Sequence, residues 1–325
     1  MEGRTIEVTV RTPSRLHFGI VDMRGDLGRI HVSVGVAIRT PHILLKGMKS
    51  HELKAEGPRK DRILQFAEKV LGDAGVDEGV QFELASDIPE HAGFGSGTQL
   101  ALAVGTIISR LYDLHLNVED LATRLNRSRV SGVGTHAFER GGFIVDGGHH
   151  VDRRESVPPL VFRCDVPDDW LFVVGLPELN PGLSGMIESE AFKRLRPPSA
   201  ELVGEVSRVV LVQMIPAIIE RDIESFGRAM TALDSNFGDY WLEVQGGRYS
   251  HPRIEEGVGF LLKAGVYGAG QSSWGPAFYG LVRGEGQARD ISKGLHRFLN
   301  SGGRRGKAFY TMPDNDGAEI TVDGD

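Results

Sequence analysis

Apolar and polar positions alternate at the start of the chain. Ile6, Val8 and Val10 are separated by polar residues, which predicts a half-buried strand. A second β-rich stretch runs from about Val32 to Leu45. The period then changes: Ile63, Leu64, Ala67, Val70 and Leu71 recur at helical spacing and stop near Gly72 and Gly75. Val80, Phe82 and Leu84 predict another strand, ended by Asp87 and Pro89. Leu100, Ala103, Val104, Ile107, Ile108 and Leu111 share one face of a strong helix, and VEDLATRLN predicts a further one before the strand GGFIVDGG. Beyond the charged, proline-paired stretch VDRRESVPP, WLFVVGLP reads as a strand. Helices are predicted at about 199–220, 222–234 and 252–264, and the chain closes strand–helix–strand with AFYGLV, ARDISKGLHRFL and KAFYTM. This order predicts an α+β protein of two intimately packed lobes, 1–160 and 161–325, the second with an antiparallel sheet.

Composition narrows the classes. Of 325 residues 43 are glycine, against about 7 % in average usage. No G-X-Y period accompanies them, which excludes collagen, and 40 % hydrophobic with 25 % charged residues excludes wholesale disorder. The charge balance of 37 basic against 44 acidic residues gives −7 and speaks against a nucleic-acid partner. The single cysteine, Cys164, excludes an internal disulfide and every multi-cysteine metal site, and reads as a small buried apolar residue. The charged, alternating N-terminus is not a signal peptide, and no apolar run approaches the roughly 18 residues of a membrane span. A soluble, cytoplasmic protein with no membrane partner is therefore expected.

The glycine excess is concentrated. Residues 19–35, 93–97, 132–148 and 265–286 hold 4, 3, 6 and 7 glycines, 20 of the 43 in under a fifth of the chain. The sharpest window, Pro89 to Thr98, follows a strand and opens the apolar helix. Unpaired backbone N–H groups and the helix dipole make such a place an anion site. Gly93, Gly95 and Gly97 remove Cβ atoms that would obstruct a phosphate, and Ser96 and Thr98 add hydroxyl donors; an ordinary capped turn is the competing reading. The loop lacks the Gly-Lys-Ser/Thr of a P-loop and the βαβ setting of a dinucleotide fingerprint.

At this loop the sequence resembles the GHMP kinase superfamily. PEHAGFGSGTQLALAVG is similar to its second motif, and GAGQSSWGPAFYGLV to its third, glycine-rich one, in the same order along the chain. In place of an early Pro-Gly-Lys the chain has Pro13-Ser14-Arg15-Leu16-His17-Phe18-Gly19. Ser131-Gly132-Val133-Gly134-Thr135-His136 offers no acid where many kinases of the superfamily carry a catalytic aspartate. These departures match one branch, the β-ribofuranosylaminobenzene 5′-phosphate synthases of methanopterin biosynthesis. TPSRLHFGIVDM, GTHAFERGGFIVDGGHH and VQGGRYSHP add to the match, which extends from residue 12 to residue 282; His31-Val32-Ser33 departs from it, where more glycine is expected.

The resemblance implies a two-lobed GHMP-kinase-like fold, with an N-terminal lobe like ribosomal protein S5 domain 2 and a ferredoxin-like C-terminal lobe. It implies transfer of phosphoribose from phosphoribosyl pyrophosphate to 4-aminobenzoate, or 4-hydroxybenzoate, with loss of pyrophosphate and CO2. Mg²⁺ is expected, ATP and pyridoxal phosphate are not, and a homodimer and an archaeal source are in keeping with the branch. The chemistry needs two anion sites, cations for pyrophosphate and an aryl pocket. Beside the loop residues, Arg15, His17 and Asp22 are catalytic candidates, and Asp146 a metal ligand. Arg29, His136, Gln271, Ser272, Ser273 and Trp274 are candidates for substrate binding, and Gln245-Gly246-Gly247 for backbone approach to a ligand. Salt bridges, turn caps and core packing are the alternatives for these residues; His149 and His150 lack the partners of a transition-metal site, and Glu188 and Glu190 read as surface groups. An ATP-dependent kinase and a non-catalytic phosphometabolite sensor stay open.

Overall fold

The computed structural model describes residues 6–179, 196–245 and 247–324. The N-terminal lobe holds two antiparallel-rich sheets. One orders β15 (Glu319–Asp323), β1 (Glu7–Arg11), β5 (Leu44–Ser50), β7 (Gly79–Ser86) and β6 (Lys54–Glu56). The other orders β10 (Leu160–Cys164), β8 (Phe143–Asp146), β4 (Val32–Ile38) and β2 (Ser14–Asp22), while β3 (Arg29–Ile30) pairs with β9 (His149–His150) alone. Helices α1 (Lys60–Ala74), α2 (Ser96–Leu111), α3 (Val118–Arg124) and α4 (Val133–Arg140) complete the lobe. In α2 nearly every side chain is buried, so its apolar run serves the core on all sides.

The C-terminal lobe orders β12 (Gly268–Gln271), β13 (Phe278–Arg283), β11 (Trp170–Pro177) and β14 (Gly306–Thr311) in one antiparallel sheet. It carries α5 (Ala200–Arg208), a π-helical turn Val209–Met214, α6 (Ile215–Glu220), α7 (Ile223–Gln245), α8 (Pro252–Lys263) and α9 (Gly284–Leu299). The helix expected at 222–234 runs on to Gln245, because Trp241 is buried against the lobe and packing overrides the weak formers between. The run Ala200–Glu220 is, by length and composition alone, apolar enough to cross a membrane, which departs from the expectation of no such run. Val206, Val210, Met214, Ala217 and Ile218 bury on one side of it, and Leu211, Val212 and Ile219 face outward.

The expected division at 160/161 is crossed twice. β10 extends the N-terminal sheet through β8, and β15 pairs with β1 over five residues. The lobes also share one core: Phe18 of β2 lies 5.2 Å from Tyr279 of β13 and 6.3 Å from Phe172 of β11, and Phe143 lies 5.4 Å from Phe226 of α7, all ring to ring. This aromatic cluster fixes where β2 presents its next polar residues, Arg15 and His17, to the space between the lobes.

Candidate active site

Two loops meet to make the site. Residues 88–95 lead from β7 into α2, and residues 272–277 join β12 to β13. They are pressed together at backbone level. Ala277 N–H donates to Ala92 O at 3.1 Å, Ser272 Oγ–H to Gly93 O at 2.6 Å, and Ser273 N–H to His17 O at 3.3 Å. A Cβ on Gly93 would lie 2.2 Å from Ser272 O, and one on Gly275 2.2 Å from the Ala92 carbonyl carbon. Only glycine allows that approach, and Gly93 also has φ +93°. Ser272 is the hub, since its hydroxyl also accepts from the His17 N–H at 3.0 Å.

Above this junction opens a cleft of about 560 Å³ at the N-terminus of α2. Gly93, Gly95, Ser96, Gly97 and Thr98 form its floor, and Gly95 takes the helix N-cap position at φ +75°. Arg15, Arg59, Arg62 and Arg127 stand around it, with Glu90 the acidic lining residue. Arg15 donates to Gly93 O, which holds its guanidinium against the loop. Arg59 is held by Asp87 at 2.9 Å and Glu90 at 3.2 Å. Burial, and secondarily Arg62, lowers the pKa of Arg127, as expected of a cation drawn out of water before its anion arrives.

A second chamber of about 370 Å³ shares Arg15, Thr98, Arg127, Ser273 and Trp274 with the cleft. His17, Ile20, Phe237 and Arg129 are among its other walls. Trp274 packs edge-on against Trp241, ring centroids 4.3 Å apart, which fixes the indole as a wall of the chamber. Burial, and then Arg15, drives the His17 pKa down to about 3, so the imidazole is neutral at physiological pH. It stands there uncharged, its buried Nδ1 without a hydrogen-bond partner among the described residues.

The structure therefore brings together Arg15, His17, the 93–98 loop, Ser273 and Trp274. Gln271 and Ser272 lie beside them as braces: the Gln271 amide donates to Ser250 Oγ at 2.7 Å and to Gly275 O at 2.9 Å. Four predicted residues are placed elsewhere. Asp22 caps its own turn, Oδ1 accepting from the N–H groups of Arg24 and Gly25 at 2.6 and 3.0 Å. Arg29 donates to Gly147 O and Gly148 O, and His136 Nε2 lies 2.8 Å from Pro158 O. Asp146 is fully buried and accepts from Ser33 N, Gly148 N, Gly132 N and Ser131 Oγ. With four donors its carboxylate joins β4, β8 and the start of α4, away from the cleft. Among the described residues no group of three His, Cys, Asp or Glu side chains is placed to hold a metal. Cys164 is only half-buried. Glu188, Glu190 and Gly246 lie outside the described residues.

Sequence reasoning missed Arg59, Arg62, Arg127 and Arg129. The alternation Arg127-Ser128-Arg129 just before the third glycine window was the available signal. It also missed Phe237, because the helix was ended too early.

Residues 61–141 match the family described as GHMP kinases N terminal domain, and residues 214–301 match GHMP kinases C terminal. A protein of Archaeoglobus fulgidus named beta-ribofuranosylphenol 5'-phosphate synthase is 33 % identical, covering 96 % of this chain and 99 % of its own. Its namesake in Methanothermobacter thermautotrophicus is 32 % identical over 94 % of this chain and 98 % of its own. A homoserine kinase from Cytophaga hutchinsonii superimposes with a TM-score of 0.69 at 15 % identity, covering 97 % of both chains. That likeness shows the two-lobed fold.

Proposed function

This chain belongs to the beta-ribofuranosylphenol 5'-phosphate synthase family, within the GHMP kinases, and on that premise we propose how its site works. The enzyme condenses phosphoribosyl pyrophosphate with a para-substituted benzoate in the cytoplasm, as a step of methanopterin biosynthesis. The relatives' names end in phenol, so 4-hydroxybenzoate is the first acceptor to try and 4-aminobenzoate the second.

The observation that carries this reading is the pair of adjoining chambers, one ringed by arginines at a helix N-terminus and one that sets Phe237 and Trp274 among largely polar walls. Pyrophosphate sits at the N-terminus of α2, where the helix presents about half a positive charge. Arg15, Arg62 and Arg127 add charge-assisted hydrogen bonds that strengthen as pyrophosphate leaves and its charge grows. As the C1–O bond breaks, C1 gains positive character. The carboxylate-bearing ring carbon of the benzoate, held between Phe237 and Trp274, then forms the new C–C bond. The bond to the carboxylate breaks next, its electron pair returns to the ring, and CO2 departs. Ile20, Val130, Phe237 and Trp274 supply the apolar surface that limits water's access to C1.

Mg²⁺ belongs to this proposal as the counter-ion of the pyrophosphate. Among the described residues no group of three His, Cys, Asp or Glu side chains makes a cage, and a phosphate-borne Mg²⁺ needs only one or two carboxylates. Glu90 is the carboxylate at hand.

The test uses purified protein, phosphoribosyl pyrophosphate, Mg²⁺ and either benzoate labelled in its carboxyl group. Labelled CO2 and pyrophosphate should appear in equal amounts. No release from either acceptor, with ATP turned over on an alcohol instead, would return the chain to the kinase reading. Binding without any turnover would make it a sensor.

A further inference from the structure

Beside the second chamber lies a recess of about 20 Å³, room for about one water or one hydroxyl group. His17, Phe237, Ser273 and Trp274 line both, so the recess adjoins the chamber. Its carboxylate is Asp234, on α7 and only 6 % exposed. Each carboxylate oxygen has one protein donor there: Gln271 N–H at 2.7 Å on Oδ1 and Tyr249 O–H at 2.8 Å on Oδ2. A carboxylate has about four acceptor sites, so it can take one more donor from the recess. Gly270 makes the placement possible, since a Cβ there would lie 2.6 Å from Oδ1.

The proposed reaction fixes which end of the acceptor faces this recess. The carboxylate-bearing carbon must meet C1 near Arg15 and Arg127, where the chambers join. The para substituent is at the opposite vertex of the ring and points away from that junction, toward the recess. We propose that Asp234 accepts the proton of the acceptor's para hydroxyl or amino group as that group's electron pair moves into the ring. This rests on the synthase reading and adds a catalytic residue to it.

The step balances. A lone pair on the para heteroatom becomes a double bond to the ring, the ring carbon bonds to C1, and pyrophosphate leaves with the C1–O pair. The proton on the heteroatom, now acidic, passes to Asp234. When CO2 leaves, its bonding pair restores the aromatic ring, the heteroatom regains its lone pair, and the proton returns from Asp234. Burial pushes the Asp234 carboxyl up to about 7, against the opposing effects of Gln271 N–H, Tyr249 and Arg248. A base in that range is matched to neutral operating pH. The ionisable groups around it are Tyr249, Arg248, Tyr279 and His17.

The experiment compares the parent enzyme with Asp234→Asn and Tyr249→Phe, using phosphoribosyl pyrophosphate, Mg²⁺ and 4-hydroxybenzoate. Asp234→Asn keeps the shape and should lower kcat about 100-fold or more, with phosphoribosyl pyrophosphate affinity held within threefold. Tyr249→Phe removes a hydrogen bond that lowers the Asp234 pKa, so the acidic limb of the kcat–pH profile should move to higher pH. If kcat of Asp234→Asn stays within threefold of the parent, the role of Asp234 is overturned while the synthase reading stands. An inactive parent overturns both. Should Asp234→Asn fail to fold, Tyr249→Phe decides, and an unmoved limb overturns the proposal.

Discussion

Arg15 and His17 are neighbours on one strand with opposite electrical duties. The guanidinium stays charged against Gly93 O, while its field and burial keep the imidazole neutral. The sign of the consequence follows directly. An unfolded chain protonates His17 near pH 6.5, the folded one not until about 3, so folding stability from this group is present above 6.5 and lost as pH falls toward 3. His17→Asn should therefore be less acid-sensitive than the parent, by about 1.4 kcal/mol per pH unit between pH 6 and 4, measured by urea unfolding at both values. Asp146 and Asp234, raised to about 6 and about 7, act in the opposite direction over that range. The difference between parent and variant isolates the histidine. At Gly97 a Cβ would find nothing closer than Arg127 Nη1 at 3.5 Å, so Gly97→Val is tolerated by the fold and intrudes on the anion. Its phosphoribosyl pyrophosphate affinity should fall at least tenfold in a titration, with little change in melting temperature; unchanged affinity would remove the loop from the phosphate site.

Among the elements, α2 and its loop were legible because two signals coincide there, an apolar 3.6-residue period and a glycine cluster after a strand. Strands β11, β13 and β14 and helix α9 were legible for the same reason of period, whereas β12 was hidden in a glycine-rich stretch. The π-helical turn at Val209–Met214 was not, since its side-chain pattern is that of a continuous helix. β15 was missed because the alternation in EITVD is short and its partner, β1, lies at the far end of the chain. Asp234 was hidden by being one polar residue in a helix, whereas Asp146 reads as a metal ligand because it stands in a glycine-rich motif. The two are told apart by what surrounds them: four donors close off one carboxylate, and the other faces a recess. Asp146→Asn would turn one acceptor into a donor facing N–H groups, leaving buried groups unpaired. We expect a loss of about 3 kcal/mol in urea unfolding, with phosphoribosyl pyrophosphate binding in the folded protein unchanged.

At the scale of the whole molecule, a protein of net charge −7 sets four arginines around one cleft, the local reversal of charge that the proposed polyanionic substrate needs. The cleft has its shape only because the two lobes cannot move apart without opening the Phe18, Phe143, Phe172, Phe226 and Tyr279 cluster. Phe18→Ala should cost about 3–5 kcal/mol, and calorimetry should show one shared unfolding transition for both lobes, lowered in temperature. Two separate transitions would mean that the lobes fold independently. The expected two-lobe plan was readable from element order, but the exchange of strands across the lobes was not, because pairing between distant segments leaves no local period.

That exchange sets the order in which the protein can be completed. During synthesis β1 emerges early, and its partner on one side, β5, follows soon after. Its other edge has no neighbour until β15 leaves the ribosome. Through most of translation the nascent N-terminal sheet thus exposes a row of unsatisfied peptide groups, an edge open to strands from other chains. The last strand acts as a latch, and a nascent chain stalled before it would be the species most prone to aggregate.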